Sequence, residues 1–243
     1  MIGHAAVGSQ LARGTRSRRP TPKVNAARTA PIANITRRRS TRCYGAAAVA
    51  YFDWHAQPGY YRDVTRHFDS AAELLDVGCG TGWLADHFPH YTGIDASEAA
   101  VEIATANGRN VRQGDVEAAL PFAEESFDAV VLKDLLEHVV DPVAVVREAR
   151  RVLRPGGLVF ASSPDAQRWV WDDYTHRRAF SRKSFRRLFA DQGFVVEHVG
   201  YESVLPGVGI ISRYTRRKRR PRTFAVLAQV PWLRRNVWVR ARR

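Results

Sequence analysis

Apolar and polar positions alternate in two distinct periods along residues 74–200. Leu74–Val77 is an apolar run of strand length, and Gly82–Phe88 has the spacing of a helix. Tyr91–Ile94 predicts a second strand, Ser97–Asn107 a helix, Val111–Gln113 a third strand and Phe127–Lys133 a fourth. Pro142–Leu153 is again helical in spacing and is ended by Pro155-Gly156-Gly157. Leu158–Ser162 predicts a fifth strand, Ser184–Gln192 a helix closed by Gly193, and Phe194–Val199 and Val237–Ala241 two final strands. Strands recurring between helices predict an α/β fold with a doubly wound, mainly parallel sheet.

The ends of the chain break this pattern. Residues 1–43 hold ten Arg/Lys and no acid, with no apolar period a core could use, and are expected to be a disordered basic segment. An organelle transit peptide, twin-arginine export (Arg37–Arg39 before Ala46–Ala50) and a start placed too far upstream are the other readings of this segment. The globular domain is expected over 44–243, opening with an aromatic, helical stretch to Phe68. A basic and apolar insertion at about 204–235 separates the last two strands; its Arg216-Arg217-Lys218-Arg219-Arg220 and Pro231-Trp232-Leu233 suit an anionic membrane surface or an amphipathic acceptor.

Charge divides along the same lines. The net charge of +14 comes from the ends: residues 213–243 carry twelve Arg/Lys and no acid, while 44–212 carry 16 basic against 24 acidic residues, a net −8. The basic ends attract phosphate in general, on lipid or nucleic acid, and do not identify either. No run of eighteen apolar residues is present, so no spanning helix is expected, and two cysteines, Cys43 and Cys79, make a disulfide framework improbable. A cytoplasmic protein, with peripheral membrane contact or organelle targeting by the N-terminus as the open alternatives, is the resulting expectation.

The chemistry concentrates where strands end. Gly78, Gly80 and Gly82 follow the first strand, and glycine there permits a tight turn whose backbone N–H groups approach a ligand closely. A dinucleotide fingerprint wants a small residue at 83; Trp83 stands there instead, and the third glycine comes one place early. A turn of this form preceded by Asp76 suits a ligand whose amino-acid part meets the loop and whose ammonium faces the acid. Asp95 ends the second strand, where a carboxylate can accept both hydroxyls of a ribose; as a bare feature it equally caps a helix, a task Ser97 can also perform.

The series Leu74-Leu-Asp-Val-Gly-Cys-Gly-Thr-Gly82, Gly93-Ile-Asp-Ala-Ser97, Gly114-Asp115-Val116, Phe127-Asp-Ala-Val-Val131 and Leu153-Arg-Pro-Gly-Gly157 closely resembles the class I S-adenosylmethionine-dependent methyltransferases, over roughly residues 70–200. Within them it is similar to the ubiquinone- and menaquinone-type branch (methyltransferase domain 11). The resemblance implies a Rossmann-like, seven-stranded sheet, mostly parallel with an antiparallel last strand, and S-adenosyl-L-methionine as methyl donor; no metal is expected, because neither a metal-ligand spacing nor a cysteine cluster is present. The donor-binding set it implies is Asp76, Gly78, Cys79, Gly80, Gly82, Asp95, Ala96, Asp115, Val116 and Lys133, with Asp115 at the adenine amino group, Val116 at the ring, and the segment around Lys133 beside the methionine end. The family more often has small or polar residues where this chain has Lys133-Asp134.

Methyl transfer from a sulfonium needs a base only where the acceptor must lose a proton, and histidine suits that task. His138, after the fourth strand in Glu137-His138, and His176, in Trp171-Asp-Asp-Tyr-Thr-His176, are the candidates; each has a structural reading as a hydrogen-bonding or capping group. The second stretch resembles an aspartate–threonine–histidine loop of bacterial methyltransferases associated with glycan or lipid biosynthesis. Neither histidine has a metal-ligand spacing along the chain. The expected function is methylation of a small molecule, with a lipid or glycan intermediate as acceptor. A nucleic-acid methyltransferase using the basic ends is a second reading, against which stands the lack of an Asn/Asp-Pro-Pro-Tyr motif and of paired catalytic cysteines. A non-catalytic donor-binding protein is a third.

Overall fold

The computed structural model describes residues 61–203 and 234–243. The expected disordered segment 1–43, most of the aromatic stretch that follows it, and nearly all of the basic insertion therefore lie outside the described residues. Element order is α1 (Arg62–Thr65), β1 (Leu74–Val77), a 3₁₀ turn (Trp83–Asp86), β2 (Tyr91–Asp95), α2 (Glu98–Ala106), β3 (Val111–Gln113), β4 (Phe127–Lys133), α3 (Pro142–Val152), β5 (Leu153–Pro164), a second 3₁₀ turn (Arg168–Asp172), α4 (Arg182–Asp191), β6 (Val195–Ser203) and β7 (Arg234–Arg242).

The strands form one seven-stranded sheet in the order β3-β2-β1-β4-β5-β7-β6. β1 through β5 pair in parallel, and β7 slots antiparallel between β5 and β6, so the doubly wound sheet with a reversed last strand is as expected. Both faces of the central strands are covered, which is why they read as unbroken apolar runs rather than as alternation. Leu75, Val77, Val130 and Leu132 face a core completed by Val145, Val146, Ala149 and Val152 of α3 and by Phe185 and Phe189 of α4. Leu74, Ala129 and Val131 face the other way, onto Val64, Leu84, Phe88 and Ala104.

Local chemistry sets the helix boundaries. The Ser97 hydroxyl accepts from the Ala100 amide and starts α2, while Asp141 accepts from the amides of Val143 and Ala144 and starts α3, with Pro142 in the first turn. α4 begins two residues before the expected Ser184, because Ser181 is the cap and Ser184 closes a reciprocal capping box from inside the first turn. The helix expected over Gly82–Phe88 is only a 3₁₀ turn: Pro89 disfavours helical geometry in the residue before it, and the chain must already re-enter the sheet at Tyr91. β5 starts at Leu153 rather than Leu158, running through the Pro155-Gly156-Gly157 kink with an irregular register. β7 likewise starts at Arg234, so the last two residues of the expected insertion belong to the sheet. Among the described residues, no helix is long and apolar enough to cross a membrane.

Candidate functional site

The parallel strands all deliver their carboxyl ends to one edge of the sheet, and the turns leaving β1, β2, β4 and β5 meet there. The turn after β1 has a left-handed backbone at three glycines, with φ of +73° at Gly78, +53° at Gly80 and +72° at Gly82. It is stitched to β2: the Gly78 and Cys79 amides both donate to the Ile94 carbonyl, at 2.8 and 3.2 Å. The Gly80 amide donates to Asp95 Oδ2 at 2.7 Å, and the Ser97 amide donates to Asp95 Oδ1 at 2.8 Å. Asp95 thus ties the glycine turn to the start of α2, while Ser97 performs the capping. Burial holds the Asp95 carboxyl above its ordinary value despite these amides. Each of its oxygens has further acceptor capacity.

On the outside of the turn, the Arg109 guanidinium lies 4.2 Å from the Trp83 ring, donates to the Thr81 carbonyl at 2.9 Å and pairs with Asp86 at 3.1 Å. Trp83, the residue at odds with a dinucleotide fingerprint, therefore clamps the turn from behind. The adjoining β3 turn brings Asp115 alongside: the Gly114 amide donates to the Asp95 carbonyl at 2.9 Å, Asp115 Oδ1 accepts from the Glu117 amide at 3.0 Å, and Val116 is buried in the core. Asp115 is exposed, and Ala96 is half-buried.

Beneath the turn, Asp76 is 2% exposed and accepts a hydrogen bond from the Tyr91 hydroxyl at 3.1 Å. Burial pushes its pKa up to about 7, against the Tyr91 hydrogen bond and the attraction of Lys133. Tyr91 has no signal in the linear sequence, because it reaches Asp76 across strand register. The room for it comes from Gly93: a Cβ there would lie 2.6 Å from Cys79 Sγ and 2.7 Å from the Tyr91 hydroxyl. Burial also raises the Cys79 thiol well above its usual value, so it packs as a neutral group rather than serving as a nucleophile.

The turn after β4 carries the second half of the site. Lys133 pairs with Asp134 at 3.2 Å, and Asp134 also accepts from Ser162 Oγ at 2.9 Å and Asn236 Nδ2 at 3.3 Å. Asp134 holds a left-handed backbone, φ +50°, which these contacts stabilise. The Leu135 side chain lies 2.8 Å from where a Gly78 Cβ would stand, so this turn packs directly on the glycine turn.

His138 and His176, placed on separate loops by the sequence, meet with ring centroids 4.7 Å apart. His138 Nδ1 lies 3.0 Å from Thr175 Oγ1, whose hydroxyl lies 2.6 Å from Asp173 Oδ1. His176 Nδ1 donates to the Val170 carbonyl at 2.6 Å, and its Nε2 is 3.7 Å from Asp173 Oδ2. Burial lowers the pKa of His138, reinforced by His176 and opposed by Asp173. Burial would raise Asp173, but the Thr175 hydroxyl and amide and the two histidines outweigh it and hold the carboxyl below its ordinary value.

Glu137, next to His138, is 1% exposed; the Ser163 hydroxyl lies near its carboxyl and favours the ionised form, but no hydrogen bond of full geometry reaches either oxygen among the described residues. Burial, with Asp134 nearby, pushes its pKa well above the ordinary range. Glu137, His138 and His176 each bring one ligand atom within 4.8 Å of the others, a nitrogen and oxygen set that can hold a divalent cation. The linear sequence conceals this grouping because His176 arrives from a different loop.

Residues 75–161 match the methyltransferase domain family. Over 111 residues the chain is 36% identical to a ubiquinone biosynthesis O-methyltransferase of Nitrosospira multiformis, covering 41% of this chain and 46% of that protein. Over 101 residues it is 41% identical to the protein of the same name from Pseudomonas fluorescens, covering 37% and 44%. The matched part thus spans less than half the length of these curated relatives. An S-adenosylmethionine-dependent methyltransferase of Mesorhizobium loti superposes with a TM-score of 0.56 at 21% identity, over 75% of this chain and 97% of that one, a likeness of fold.

Proposed function

We propose, for a chain whose residues 75–161 match a methyltransferase domain, that it transfers the methyl group of S-adenosyl-L-methionine to a hydroxyl of a small molecule. The observation that carries this reading is the juxtaposition of two halves at one sheet edge: a glycine turn stitched to Asp95, and His138, on the turn that packs against it through Leu135, paired with His176 from the loop after β5.

In the donor half, the left-handed turn Gly78–Gly82 exposes backbone to the methionine end, with Cys79 and Lys133 beside it. Asp95 accepts the ribose hydroxyls with the lone pairs its two amides leave free, next to Ala96. Asp115 and Val116 bracket the adenine. Asp76 supplies negative charge below the turn, and a bound ammonium would favour its ionised form. In the acceptor half, His138 takes the hydroxyl proton as the oxygen attacks the methyl carbon. The carbon–sulfur bond breaks, its electron pair stays on sulfur, and S-adenosylhomocysteine leaves as a neutral thioether. The enzyme's main contribution is to align donor and acceptor and exclude water.

The acceptor is amphipathic on this reading. The loop carrying His176 exposes Trp171 and Tyr174, 57% and 86% accessible, and the Arg235 guanidinium lies 5.3 Å from the Trp169 ring on the adjoining turn. Aromatic faces beside arginines suit a lipid- or glycan-linked acceptor at an anionic membrane surface. Calorimetry with S-adenosylmethionine, S-adenosylhomocysteine and NAD tests the donor. Radiolabelled donor with catechol, phenol, amine and RNA acceptors tests the transfer. Binding of NAD alone, or label entering only amines or RNA, would sink the proposal.

A further inference from the structure

We propose that Thr175 and Asp173 are positioning residues that hold His138 in its Nδ1–H tautomer, leaving Nε2 as the nitrogen that carries the lone pair. The inference rests on the reading of His138 as the acceptor's base, and it follows from counting hydrogens along one chain of contacts.

Asp173 is a carboxylate, able only to accept. Its Oδ1 receives the Thr175 amide at 2.8 Å and lies 2.6 Å from the Thr175 hydroxyl. A threonine hydroxyl has one hydrogen, and at this separation from a carboxylate it is donated there. Thr175 Oγ1 can then only accept from its remaining neighbour, His138 Nδ1, at 3.0 Å. The proton on the neutral ring therefore sits on Nδ1. The charged and titratable groups facing His138 are Asp173 and His176 from the loop after β5, and Asp134 and Glu137 from its own turn. Asp173, held ionised through the hydroxyl, also stabilises the imidazolium that forms when Nε2 takes the acceptor's proton. The arrangement supplies what a directly bonded carboxylate supplies in other histidine bases, with a hydroxyl interposed.

The test reads the tautomer directly. Long-range ¹⁵N–¹H NMR of the full chain, with no acceptor present and at a pH where His138 is neutral, distinguishes Nδ1–H from Nε2–H. The wild type is expected to show Nδ1–H at His138. Thr175→Val, which keeps the shape and removes the hydroxyl, is expected to release the ring to Nε2–H or a mixture, and Thr175→Ser to restore Nδ1–H. Methyl transfer to catechol should follow: kcat at least about tenfold lower in Thr175→Val, KM for the donor within about twofold of wild type, and recovery in Thr175→Ser. Nε2–H in the wild type, or an unchanged tautomer in folded Thr175→Val, overturns the proposal. So does a tautomer change that leaves catechol turnover untouched. Should the wild type pass label only to amines or RNA, the hydroxyl-transfer reading fails, while the NMR comparison still decides the role of Thr175.

Discussion

His138 and His176 lie with ring centroids 4.7 Å apart although they leave the sheet from different strands, and their Nδ1 atoms point to different partners, Thr175 Oγ1 and the Val170 carbonyl. The two rings therefore have separable tasks. His138→Gln is expected to lower kcat by about 10²–10⁴, the range for losing a positioned base. His176→Gln, which removes an anchor of the 168–178 loop, should affect KM for the acceptor more than kcat. Steady-state kinetics on both variants checks this, and equal losses of kcat would contradict the division.

The same pair, with Glu137, offers a nitrogen and oxygen set to a cation. Proton abstraction by His138 needs its lone pair free, whereas metal ligation would consume it. Catechol methylation is accordingly expected to survive EDTA within about twofold. A loss restored by added Mg²⁺ or Zn²⁺ would turn His138 from base into ligand.

Asp95 performs two tasks at once: it holds the Gly80 amide at 2.7 Å and the Ser97 amide at 2.8 Å, and it is the proposed ribose acceptor. Hydrogen bonds to a charged group contribute about 1.5–3 kcal/mol each, so Asp95→Ala should weaken S-adenosylhomocysteine binding by at least about tenfold. Asp95→Asn keeps an acceptor oxygen and should fall between. Isothermal calorimetry on the three proteins gives the ranking, and a wild-type affinity in Asp95→Ala would remove Asp95 from the donor site.

Much of this was legible in the chain. The sheet could be read because β1 and β4 are buried on both faces, and the glycine turn because three glycines follow a strand at once. What escaped depended on contacts distant in sequence. Tyr91 meets Asp76 only through parallel strand register and the missing side chain of Gly93. The Asp173–Thr175–His138 chain joins two loops that a linear reading keeps apart. The short helix after the glycine turn was overestimated, since helical spacing over Gly82–Phe88 says nothing of how soon Pro89 and β2 must follow.

Asp76 gives a prediction with a definite sign. Its carboxyl is raised by burial to about 7 from an ordinary value near 4, so the folded protein binds a proton there that the unfolded chain has already released. The contribution is fully favourable below about pH 4 and is lost as pH rises through about 7, a cost on the order of 4 kcal/mol above that. Asp76→Asn removes the titration and leaves an amide able to accept from Tyr91. Without donor, the variant should therefore gain on wild type in denaturant midpoint from pH 5 to about pH 7 and level off by pH 8. With saturating S-adenosylmethionine the gap at pH 8 should narrow or reverse, because the ligand's ammonium favours the ionised Asp76 of the wild type. A gap that does not change with pH would place the Asp76 carboxyl at an ordinary value, and one unaffected by the ligand would separate Asp76 from the donor's ammonium.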